Sequence, residues 1–75
     1  MREFLVVYDY GQGGVWAYVS AESAASIESA FPELSVVPTR PEWLSPHEAI
    51  ALERTSLAEP SGILLEILRG RESAG

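Results

Sequence analysis

Two short runs of alternating side chains, joined by Gly11-Gln12-Gly13-Gly14, constrain this chain more than anything else in it. From Glu3 to Tyr10 the residues are rich in β-branched and aromatic types. Phe4, Val6, Tyr8 and Tyr10 share one face, and Leu5, Val7 and Asp9 take the other. Both faces are largely apolar, which predicts a strand in the interior of a sheet, covered on each side. The glycines supply positive φ where a tight turn needs it, and Val15 to Val19 resumes the alternation, so the two runs read as an antiparallel hairpin. Trp16 and Tyr18 then share a face. Whether they meet Tyr8 or Tyr10 depends on a register that a one-residue slip would invert.

The rest of the chain supplies the remaining elements. Ser23 is placed to cap a two-turn helix carrying Ala24, Ile27 and Phe31 on one stripe, stopped by Pro32. Leu34 to Val37, bounded by Pro32 and Pro38, reads as a third strand. A right-handed crossover sets it parallel to the second strand, in the order two, one, three. Ser45-Pro46-His47-Glu48 starts a second helix, with serine as cap, proline at the first helical position and glutamate closing a capping box. That helix frays near Thr55 and Ser56, and Trp43 is placed to staple it onto Ile50 or neighbouring residues. Ile63 to Arg69 fits either a buried strand or a helix. A cap at Ser61, the Leu64, Ile67 and Leu68 spacing, and Arg69 and Arg71 at the C-terminal end favour helix. The expectation is an α+β fold, a small three-stranded sheet followed by two short helices (ββαβαα), with one domain over 1–71 and a loose tail over 72–75.

Composition excludes several chemistries. Cysteine is absent, which removes disulfides, thiolate metal sites and thiol nucleophiles; lysine is absent too, removing Schiff-base chemistry and the phosphate-loop lysine. Five arginines against eleven acids give a formal charge of −6, with only Arg69 and Arg71 close together, and this disfavours a partner made of nucleic acid. Spread along the chain, the glutamates read first as a solubilising surface. No run approaches the ~20 apolar residues of a membrane span, and no signal-peptide segment is visible, so the expected location is cytoplasmic, with no membrane partner.

The glycine turn fails as a dinucleotide fingerprint, because Trp16 stands where the third glycine belongs and a strand follows where a helix is required. His47 and Asp9 are the only histidine and the only aspartate. Nothing places them together with a serine, and His47 beside Glu48 lacks a second ligand at helical spacing, so neither a catalytic set nor a metal site nor a cofactor is expected. The sharper constellation is Tyr8, Tyr10, Trp16, Tyr18 and Trp43, residue types enriched at binding hot spots, with Asp9 and Gln12 in or beside the turn. Packing in a small core is the competing account of the same rings. The link from Arg40 through Pro41 and Glu42 to Trp43 and Leu44 is the second candidate surface.

Asp9 to Trp16, Phe31-Pro32-Glu33-Leu34 and Arg40-Pro41-Glu42-Trp43-Leu44 together resemble small uncharacterised proteins of high-GC actinobacteria, and the likeness covers most of the chain. The resemblance implies a stand-alone bacterial domain and carries no activity or functional residue with it. The expected function is non-enzymatic binding of another protein through the aromatic hairpin and the Arg40 to Leu44 link. Self-pairing through the third strand is a further expectation. The alternative is a small-molecule binding or sensing domain whose Tyr/Trp-lined pocket is oriented by Asp9 or His47.

Overall fold

A computed structural model of the chain describes residues 1–9 and 14–74, without the side chains of 9, 73 and 74. The expected roles of Tyr10 and Gln12, the turn itself and the side chain of Asp9 lie outside the described residues. The fold is α+β. Its elements run β1 (Arg2–Asp9), β2 (Gly14–Ala21), α1 (Ala24–Ala30), β3 (Leu34–Val37), α2 (Pro46–Ala51), β4 (Glu53–Ser56) and α3 (Ile63–Ala74).

β1 and β2 form the antiparallel hairpin, and β3 lies antiparallel on the other side of β1, which makes it parallel to β2. The sheet nevertheless has four strands, in the order β3-β1-β2-β4, and the expected three-stranded sheet is corrected by β4, which pairs parallel with β2. Glu53-Arg54-Thr55-Ser56 has no apolar alternation to announce a strand. An edge strand tolerates its charges, since only one of its sides must match a neighbour. The α2 helix ends at Leu52, whose extended backbone (φ −66, ψ 148) delivers the chain directly to that edge.

The helix starts follow the local chemistry. Ser23 accepts the Ser26 N–H at 3.1 Å, and Phe31, ahead of Pro32, leaves helical geometry at φ −133. At α2, Ser45 Oγ accepts the Glu48 N–H at 3.1 Å while donating to the Glu48 carboxylate at 3.0 Å. The staple across this start is Leu44 with Ala49, both buried in one cluster, rather than Trp43 with Ile50, both of which are exposed. At α3 the expected Ser61 cap is also corrected. The Ser61 hydroxyl and N–H both donate to Thr55 Oγ1 at 2.9 Å, and it is Glu53 whose carboxylate accepts the Ile63 N–H at 3.3 Å. The last helix is twelve residues rather than short, and it continues through Ala74 into the stretch expected to be a tail.

The sheet is covered on both faces. Val6, Ala17, Val19 and Leu34 pack under α1 and α3 through Ile27, Phe31, Ile63, Leu64 and Ile67. Ile27 and Leu64 are fully buried, each contributing about 1.5–3 kcal/mol of apolar transfer. The opposite face is a smaller cluster of Leu5, Leu44 and Ala49, with Trp16, Tyr18, Val37 and Leu52 packed around it under α2 and the preceding link. Arg71 fastens the C-terminal part of α3 to the end of α1. It meets Glu33 with two hydrogen bonds (2.7 and 2.5 Å), donates to the Ala30 carbonyl at 3.0 Å, and lies over the Phe31 ring at 5.1 Å.

Candidate functional site

The hairpin register decides where each aromatic goes. Tyr8 is opposite Val15 and Val7 is opposite Trp16, so Tyr8 stands on the α1/α3 face while Trp16 and Tyr18 stand on the α2 face. The expected single aromatic surface is therefore divided. Tyr8 is half-buried and lines a cleft of about 450 Å³ with Val15, Ile63, Gly62, Glu53 and Glu66. Neither tryptophan belongs to that cleft.

The α2 face gathers Trp16, Tyr18, Arg40 and Trp43. The link bearing Trp43 is tied across itself: the Leu44 N–H donates to the Pro41 carbonyl at 3.1 Å, and Arg40 Nη1 donates to the Leu44 carbonyl. Leu44 is the buried anchor of this loop, which leaves the preceding Trp43 directed outward. The Trp43 ring sits edge-to-face against half-buried Trp16, with centroids 5.1 Å apart and planes at 81°, an orientation favoured by the ring quadrupoles. Trp43 is still 63% exposed, and Ile50, on the outer side of α2, is 71% exposed. Isolated exposed apolar side chains are ordinary, but a tryptophan held in place by a closed loop and a second indole is a pre-organised contact.

Tyr18 has a structural engagement instead. The Arg54 guanidinium lies 4.9 Å from its ring centroid, with Nε 3.3 Å from the Glu3 carboxylate and Nη1 donating to the Ile50 and Leu52 carbonyls at 3.0 and 3.2 Å. One side chain thus ties β4, β1 and the carbonyl end of α2 around Tyr18. Sequence reading passed over Arg54 and Glu53 and set Ile50 on the apolar side of its helix. A basic residue just beyond a helix end was a usable signal for Arg54, whereas nothing local marks Ile50 as outward or Glu53 as the cap of a helix ten residues on.

The Glu33 carboxyl is held below its ordinary value. The hydrogen bond from Arg71 lowers it, against a smaller opposing effect of burial, and the same pairing raises Arg71. His47 is exposed in the first turn of α2. Among the described residues no three His, Asp or Glu side chains converge as metal ligands would, and no helix is long and apolar enough to cross a membrane. Comparisons of the chain with protein-family models, with curated proteins and with solved structures each find no match.

Proposed function

We propose that this protein is a non-enzymatic interaction module that binds another protein through its α2 face, with Trp43 at the centre of the contact. The observation that carries this reading is the exposure of Trp43 on a loop whose backbone is closed by Arg40 and whose ring is braced by Trp16. Immobilising the ring before binding removes part of the ordering cost that an interface side chain otherwise incurs, about 0.5–1.5 kcal/mol. Tryptophan is also among the residue types that dominate interface energies.

Capture experiments with the wild-type chain, Trp43→Gln and Ile50→Gln test it. Ile50→Gln alters an outward side chain and should change stability by no more than ~0.5 kcal/mol, so its loss of binding cannot be attributed to unfolding. The expected result is a partner retained by wild type and by Glu28→Ala, a change on α1 beyond the opposite face, and lost from both α2-face variants. Retention of that partner by Trp43→Gln and Ile50→Gln alike would refute the proposal.

Self-association through β3 is a related reading. β3 is an edge strand with no charged residue, whereas β4 at the other edge carries Glu53 and Arg54. Sedimentation velocity over a dilution series reads it directly, and a monomer at every concentration removes it. The Tyr8 cleft favours a small-molecule reading, for which a metabolite thermal-shift screen with a Tyr8→Leu control is the check; no ligand-dependent shift would dismiss it.

A further inference from the structure

Three of the five arginines are held by carboxylates: Arg54 by Glu3, Arg69 by Glu66 and Arg71 by Glu33. Arg2 and Arg40 have no carboxylate within ion-pairing distance among the described residues. Arg2 lies over the Phe4 ring at 5.5 Å, and Arg40 uses one nitrogen on the Leu44 carbonyl. Both line the same cavity, about 430 Å³ in volume, together with Phe4, Leu5, Val37 and Pro38. In a chain of formal charge −6, the two arginines without a carboxylate partner among the described residues thus border one recess.

The recess follows from the sheet. β1 begins at Arg2, but β3 pairs with it only from Leu5 to Tyr8. Continuing that register would set Pro38 opposite Phe4. Proline has no N–H to donate to a ladder, and β3 ends at Val37. Arg2, Glu3 and Phe4 therefore pair with β2 on one side and have no strand of the sheet on the other. The cavity lies at this notch, lined by Arg2 and Arg40 and by apolar residues beside the unpaired strand edge.

We propose that this notch binds a carboxylate group carried on an apolar body, such as the C-terminal end of a peptide or a free acylated amino acid. Guanidinium groups bind carboxylates through charge-assisted hydrogen bonds, commonly in bidentate geometry. Phe4, Leu5, Val37 and Pro38 receive the apolar body, and the unpaired edge of β1 is the natural partner for its amide group. Glu3 also lines the cavity, but its carboxylate is already paired with Arg54 at 3.3 Å. The cavity is of a size that takes small ligands, and its apolar wall sets a carboxylate with a hydrocarbon body above a bare inorganic anion. This assignment shares Arg40 with the loop that carries Trp43 but uses neither Trp43 nor Ile50, so Arg2→Gln tests it apart from the protein-binding reading.

The experiment is an NMR titration of the intact chain, following the arginine Nε–H signals and the backbone amides of β1. The probes are N-acetylleucine, N-acetylleucinamide, inorganic phosphate and a short apolar peptide with a free carboxylate. N-acetylleucine should shift the signals of Arg2, Arg40 and Glu3 to Leu5 at millimolar concentration. The amide should bind about tenfold more weakly, and Arg2→Gln should weaken the acid by a similar factor. Arg40→Lys keeps the charge but loses the fork, and should give an intermediate affinity. Tighter binding of the peptide than of N-acetylleucine assigns a chain end as the source, and the reverse order assigns the free acid. Equal binding of acid and amide, an unchanged affinity in Arg2→Gln, or binding of phosphate alone would overturn the proposal.

Discussion

Replacing Thr55 by valine tests the least expected joint in this fold, the attachment of α3 to the edge strand β4. Thr55 is 7% exposed, and its hydroxyl oxygen accepts two hydrogen bonds of 2.9 Å, from the N–H and from the hydroxyl of Ser61. Valine keeps the shape and removes the acceptor. Each bond is worth about 0.5–1.5 kcal/mol net, so the pair contributes about 1–3 kcal/mol. The methyl that replaces the hydroxyl returns up to about 0.8 kcal/mol of apolar burial. Ser61 is exposed enough for water to satisfy part of what it loses, which keeps the result toward the lower half of the range. The expected destabilisation is therefore about 1–2 kcal/mol, or a fall in Tm of roughly 5–15 °C for a domain this small. Urea denaturation of wild type, Thr55→Val, Ser61→Ala and the double variant gives the cycle. Ser61→Ala removes only the hydroxyl bond and leaves the N–H bond, so it should cost less than Thr55→Val, with a coupling of about 0.5–1.5 kcal/mol between the two. A Thr55→Val protein as stable as wild type, or more so, would refute the reasoning, because packing alone would then hold α3 against β4.

Gly62 has φ +53, and a Cβ there would run into the Glu53 carboxylate that caps α3. Gly62→Ala should therefore cost about 1–2 kcal/mol in chemical denaturation, and an unchanged midpoint would show the cap to be dispensable. The Glu33–Arg71 pairing gives a pH dependence of definite sign. A carboxyl whose folded value is lowered contributes stability that is complete above its unfolded value and is lost as pH falls through the folded value. The stability gap between wild type and Arg71→Gln should accordingly narrow on acidification and level off at the part due to Phe31 stacking and the Ala30 carbonyl. A gap that stays constant from neutral pH into the acid range would count against the pairing.

The candidate site was legible only in part, because a strand's alternation says which side chains share a face but not which face of its neighbour they meet. Trp16 and Tyr18 were readable as a pair. Their separation from Tyr8 was not, since it rests on the match of Tyr8 to Val15, a pairing that the alternation of the two strands leaves open. Trp43 stands in a link whose local signals suit a staple, and that place is filled by Leu44 with Ala49. Its exposure follows from which of two adjacent apolar residues the loop turns inward.

By itself the sequence determined the parts whose signals span a few residues: the alternation of β1 and β2, the Ser23 and Ser45 caps, and the two prolines that bound β3. Those features act through the chain's own neighbouring backbone groups, so they hold whatever surrounds them. Only the tertiary structure decided that Glu53–Ser56 is a strand, that Glu53 caps α3, that Arg54 braces Tyr18, and that β3 stops short of Phe4. Each of these depends on a partner distant in sequence, which gives an unremarkable residue its role by supplying the other half of a bond.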